Sequence, residues 1–254
     1  MTYLRARQVL LPLLLPALFL LAWDIVGRAD VADPRFLPPL EQVGQTAVRA
    51  FAEDGLALHL LASLQRDIKG FLIGAAAGVS LGLLIGSSRL VQRMAGPLLL
   101  VHRQIALFAW IPLLSMWFGG GEAGKLSFIA LAAFQPALSN TWQGVANIPA
   151  QWRELAAVLT FSRLDLWRLV ALPAALPAIF TGLQSALIYA WVATIGAELL
   201  LNVAPGIGGR MNEGQQLFHM DELLLCVVLM GAVGVVFNLL AGAAQARLLR
   251  WRTL

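Results

Sequence analysis

Long uncharged apolar runs alternate with short polar stretches throughout the chain. Runs of this kind, interrupted by charge only at Asp24, Arg103 and Glu198, lie at about residues 8–27, 70–88, 100–121, 126–148, 174–200 and 223–246. A bilayer core about 30 Å thick takes roughly 20 apolar residues per helical crossing, so the pattern predicts about six transmembrane helices. The runs lack the two-residue alternation of a membrane barrel strand. Helices also satisfy their own backbone hydrogen bonds in lipid. The first run follows Arg5 and Arg7 as a signal peptide would, but no small-x-small cleavage site follows it, so a retained span is expected. The fold class is thus an all-α polytopic membrane protein, read as a single transmembrane domain over 1–254.

Between these runs, shorter patterns predict local features. FLPPL (36–40) is a proline-fixed extended segment, and Val43, Ala47, Ala50 and Phe51 after it recur at the spacing of a surface helix. The run at 70–88 carries glycine at 70, 74, 78, 82 and 86, a ridge that admits another helix backbone. It suits packing within the subunit or, less well, a subunit interface. The stretch ELAAVLTFSRLDLWRLVALP (154–173) predicts a short exposed helix at about 150–168, with Leu155, Val158, Leu159, Leu166 and Leu169 as its apolar stripe and Pro173 and Pro177 as its stop or kink.

Composition supports this reading: 59% of the 254 residues are hydrophobic and 13% are charged, against roughly 25% charged in soluble domains. Basic residues flank spans one, two and three, four and five, and six (Arg5, Arg7, Arg89, Arg93, Arg103, Arg153, Arg163, Arg168, Arg247, Arg250 and Arg252), which predicts those flanks and both termini to be cytoplasmic. Arg103 is expected to extend to the cytoplasmic headgroups. The net charge of +4 is spread along one membrane face without a basic domain, which favours anionic lipids over nucleic acid as partner.

Candidate chemistry is sparse. Gly119–Leu126 reads GGGEAGKL, near the phosphate-loop pattern, but Leu126 replaces the hydroxyl residue that would bind magnesium and no strand precedes it. Cys226 is the single cysteine, and His59, His102 and His219 are too far apart to form a helix-borne metal pair, so no metal site is expected. An intramembrane enzyme would need a nucleophile and base on facing helices, which the pattern does not supply. Possible translocation-path groups are Gln104, Gln135, Asn140, Gln184, Trp191 and Glu198, though hydrogen bonds between helices explain such residues equally well. Glu198 either faces the path or pairs with Arg210 at the outer interface.

The 154–173 stretch resembles the EAA motif of bacterial importer permeases. Glu154, Ala156, Val170, Leu172 and Pro173 match it, whereas Leu155 stands at the first alanine position and Thr160 at the glycine position. FLPPLEQV (36–43), SLQRDIKGF (63–71), IPLLSMWFGGGEAGK (111–125) and AELLLNVAPGIG (197–208) extend the likeness over most of the chain. It is similar to the permeases of the sulfonate, nitrate and taurine group of type I ABC importers. The resemblance implies an inner-membrane subunit, not itself an enzyme, that forms the path for a small anion such as an alkanesulfonate. It implies as partners a cytoplasmic ATPase dimer carrying ATP and Mg, a second permease copy as a homodimer, and an extracytoplasmic solute-binding protein. The chain itself would bind no cofactor. By the same resemblance 150–168 is the coupling helix, with Arg153, Glu154, Leu155, Ala156, Thr160, Phe161, Ser162, Leu172 and Pro173 as ATPase-coupling residues. The rival reading is a secondary transporter or channel without an ATPase, which predicts ionisable residues in mid-span.

Overall fold

The computed structural model describes residues 2–28, 36–201 and 205–249, and among these the regular structure is helical. Helix α1 (Thr2–Arg28) leads to the extended prolines, where the indole N–H of Trp23 donates to the Pro38 carbonyl at 3.0 Å. The amphipathic α2 (Leu40–Ala52) follows, and it does more than lie on a surface. It buries Val43, Thr46 and Ala50, and Thr46 donates to Asp221 at 2.5 Å, tying it to the last helix.

Helix α3 (Leu56–Ser87) packs most extensively on α6 (Glu122–Ala146), and the glycine ridge is the reason. A Cβ at Gly78 would stand 2.6 Å from the Phe134 carbonyl oxygen and 2.9 Å from Ala137, and one at Gly86 would stand 2.6 Å from Val145. Gly70 and Gly74 meet Ile129 and Ala130 in the same way. The ridge therefore serves packing within the subunit, bringing backbone to backbone. Because the contacts advance together along both helices, α3 and α6 run parallel.

The chain between them must then return across the bundle. It does so through α4 (Arg89–Gln104), a 3-10 turn (Leu107–Trp110) and α5 (Ile111–Phe118). The return is bent by 98° at Ile105 and Ala106, both extended. It tracks α6 in reverse: Gly96 faces Trp142, His102 meets Gln135, Phe108 meets Phe128, and Gly119 meets Gly124. The third predicted span is thus a broken element whose first half is α4, a stretch that the hydropathy pattern alone assigns largely to a loop.

The stretch predicted as one helix stopped by proline is also different. Helix α7 (Ala150–Val158) ends at a tight turn, and a continuous helical run follows from α8 (Arg163–Asp165) through a π-helical stretch (Leu166–Ala171) into α9 (Leu172–Leu200). Pro173 and Pro177 sit inside this run. Proline removes a donor and crowds the carbonyl four residues back, and the wider π turns, closed by Leu172 N–H to the Trp167 carbonyl, end beside Pro173 where that relief is needed. Helices α10 (Ile207–Gln216) and α11 (Met220–Leu248) complete the chain. By length and composition α3, the run Leu166–Leu200 and α11 can each cross a membrane, and the bent α4–α5 pair makes a fourth.

Candidate functional site

Two local caps shape the 150–171 segment. Thr160 has φ 52°, and the Phe161 N–H reaches back to the Ala156 carbonyl at 3.0 Å, the six-to-one bond of a Schellman cap, for which glycine is the usual residue at the left-handed position. Phe161 lines one apolar groove with Leu155 and Ala156. Two residues on, Ser162 and Asp165 cap each other: Asp165 N–H donates to Ser162 Oγ at 3.2 Å, and Ser162 N–H donates to the Asp165 carboxylate at 3.3 Å. This reciprocal box opens the next helix.

The result is a helix-turn-helix with an apolar groove lined by Trp152, Leu155, Ala156, Leu159, Phe161 and Leu169. Ala156 is its floor, 3% exposed, whereas Leu155 and Val158 are 58% and 79% exposed on the outward side. Glu154 is exposed, and Leu172 and Pro173 open α9, with Pro173 also lining the groove. The predicted stripe is therefore divided between two helices. The Arg153 side chain lies outside the described residues.

The proposed path residues do not converge. Gln104 is exposed beside the break in the third element, and Gln135 accepts from or faces His102 Nδ1 at 3.0 Å. Asn140 donates to the Pro136 carbonyl at 2.9 Å between α6 and α9, and Gln184 donates to Asn238 at 2.7 Å, joining α9 to α11. Trp191 is 2% exposed, packs edge-on against Phe237 and donates to the Met230 carbonyl at 2.9 Å, which makes it core.

Glu198 is enclosed too, and its partner is Arg66, not Arg210, which pairs with Glu213 and Glu222. Arg66 also holds Glu122 through two bonds, at 2.9 and 2.5 Å. Ser63 Oγ lies 2.8 and 2.9 Å from the Glu198 carboxylate, and the Gly208 N–H donates to it at 2.9 Å. A Cβ at Gly206 would stand 2.5 Å from that carboxylate, so the loop needs glycine there. Three helices and a loop are thus clamped at one end of the bundle around a buried guanidinium with its fork geometry satisfied. The sequence pattern alone gives Arg66 and Glu122 no role. The available signal is an Arg-Asp pair within an otherwise apolar helix, which is costly unless partnered.

Residues 74–253 match the family described as the binding-protein-dependent transport system inner membrane component. The chain belongs to that family. Among its relatives, the bicarbonate transport system permease CmpB of Synechococcus elongatus is 34% identical over 95% of this chain and 90% of its own length. The putative aliphatic sulfonates transport permease SsuC of Bacillus subtilis is 32% identical over 94% and 87%. In fold the permease is similar to the inward-facing MetNI methionine ABC transporter, with a TM-score of 0.63 and 18% identity over 77% of this chain and 94% of that one. The chain is accordingly the permease subunit of an ABC importer, a multi-pass inner-membrane transport component and not an enzyme. Its family implies an ATPase and a solute-binding protein as partners.

Proposed function

We infer that this permease works as a homodimer that passes a small oxyanion inward, and that the groove and outward face of α7 are where a cytoplasmic ATPase grips it. The observation that carries this reading is the pair of exposed aliphatic side chains, Leu155 and Val158, on a short helix fixed at its end by a Schellman cap and followed by a capped helix that runs without interruption into α9. An apolar helix face beside a groove suits docking of the helix-in-groove kind. The rigid connection makes α9 the lever.

ATP and Mg would be held by the ATPase. Closure of the ATPase pair would push α7 and tilt the bundle from inward-open to outward-open. A ligand shifts such an equilibrium only by its differential affinity for the two states, and ATP on one side with the loaded binding protein on the other supplies that difference. Six crossings, by α1, α3, the bent α4–α5 pair, α6, α9 and α11, would leave both termini on one side, and the basic flanks favour the ATPase side for it. There Arg89, Arg93, Arg168 and Arg247 meet anionic headgroups. The bicarbonate and sulfonate relatives support a small anion, with an alkanesulfonate or a nitrate-, taurine- or bicarbonate-like ion as the range, and the binding protein makes the selection.

The test is purification of the detergent-solubilised chain from its own membrane, as wild type and with residues 154–163 scrambled. Recovery of an ATPase with the wild type alone is expected. An equal yield of ATPase with both chains, or none with either from a complex that survives detergent, overturns the assignment of the gripping surface.

A further inference from the structure

Arg103 lies far from where its sequence suggests. His102 is held against Gln135 of α6 by the 3.0 Å hydrogen bond and by ring contacts to Trp110, at 5.6 Å, and Phe134, at 6.3 Å. Gln135 falls at the middle of α6, whose 25 residues span about 37 Å. A second ruler agrees. The uncharged run of α3 between Lys69 and Arg89 is centred beside Gly78, and Gly78 packs against Phe134, Ala137 and Leu138. Arg103, the residue after His102, is thus close to the membrane midplane and exposed at the kink in the third element.

From there roughly 15 Å of hydrocarbon separates it from either headgroup layer, and an extended arginine, with bonds near 1.5 Å, covers only about half that distance. Snorkelling is excluded. A guanidinium at this depth faces a partner or water. Arg103 makes no ion pair among the described residues. The sequence has no Asp or Glu at 68–121, 123–153, 166–197 or 223–249, and the buried Asp67 of α3 lies eleven residues, about 16 Å, before Gly78, so neither this chain nor a second copy brings a carboxylate from these helices to that level.

We propose that Arg103 is the anion-contacting cation of the translocation path, presented with Gln104 at the kink and positioned by the His102–Gln135 bond. This rests on the reading of the permease as an anion carrier. An arginine suits an oxyanion because its planar donors match two oxygens at once. As a lone mid-membrane charge it raises the local concentration of the anion without holding it in a closed cage.

The test uses the importer assembled with its ATPase and binding protein in proteoliposomes, at rest and during ATP turnover. Gln104→Cys is labelled with two methanethiosulfonate reagents of similar size, one carrying an ethylsulfonate and the other an ethyltrimethylammonium group. The wild type serves as the blank, because Cys226 is only 2% exposed. With each rate divided by that reagent's rate with a free thiol in solution, Arg103 in place favours the sulfonate reagent by roughly tenfold, the lower end of electrostatic focusing in a charged cleft, and Arg103→Gln in the same chain removes the preference. An introduced thiol inert to both reagents in both conditions, or one that reacts without charge preference, overturns the proposal. Failure of the ATPase to co-purify is scored separately on the same preparation and bears on the gripping surface alone.

Discussion

Thr160 holds a left-handed backbone with φ 52°, a conformation that costs an L-residue roughly 1–2 kcal/mol and is an outlier for a β-branched side chain. Thr160→Gly removes that strain but adds the conformational freedom glycine has in the open chain, about 0.5–1 kcal/mol. The balance is a net stabilisation of about 0.5–1 kcal/mol confined to the turn. The Phe161 N–H that closes the Schellman cap on the Ala156 carbonyl at 3.0 Å reports it directly, since amide exchange follows the free energy of local opening. Exchange at Phe161 should slow by a factor of roughly two to five, at 1.4 kcal/mol per tenfold. Thr160→Val keeps both the branching and the strain and should leave the rate within about twofold of wild type by the same relation. Unchanged or faster exchange in the glycine variant would refute the claim that the turn is strained.

Other variants test the packing and the clamp. Gly78→Ala pushes a methyl to 2.6 Å from the Phe134 carbonyl oxygen and should cost about 1–3 kcal/mol as overpacking, lowering the melting temperature in detergent. Gly231→Ala meets nothing within 4 Å and should stabilise α11 by up to about 1 kcal/mol through helix propensity, raising it. Arg66→Leu leaves Glu198 enclosed and uncompensated and should destabilise by about 3–5 kcal/mol; Glu198→Gln, which keeps the volume and the contacts to Ser63, should cost less in the same melting assay.

The elements that could be read from sequence were those whose signal is local. The uncharged runs located α3, α9 and α11, and the four-residue glycine spacing marked the face of α3 that meets another helix, though not which helix, because tight helix packing needs small residues on one face. The EAA-like spacing identified the projecting segment. What was missed depends on neighbours remote in sequence. The start of the third element was obscured by Arg93, His102 and Arg103, which read as a loop until the parallel course of α3 and α6 requires the chain to cross back there. The turn at Thr160 was hidden because threonine gives no hint of a positive φ, although the motif's usual glycine at that place did. Pro173 looked like a stop but is absorbed by π turns. Glu198 was singled out correctly as a costly charge, yet its partner Arg66 lies 132 residues away, beyond any spacing rule.

The role proposed for α7 is to transmit ATPase motion to the bundle. The most direct measurement is ATP hydrolysis by the importer in proteoliposomes, with and without loaded binding protein, comparing wild type with Val158→Asp, a change at an exposed position that leaves the buried core intact. Stimulation by binding protein in the wild type and its loss in the variant are expected. Stimulation of equal size in both would contradict that role.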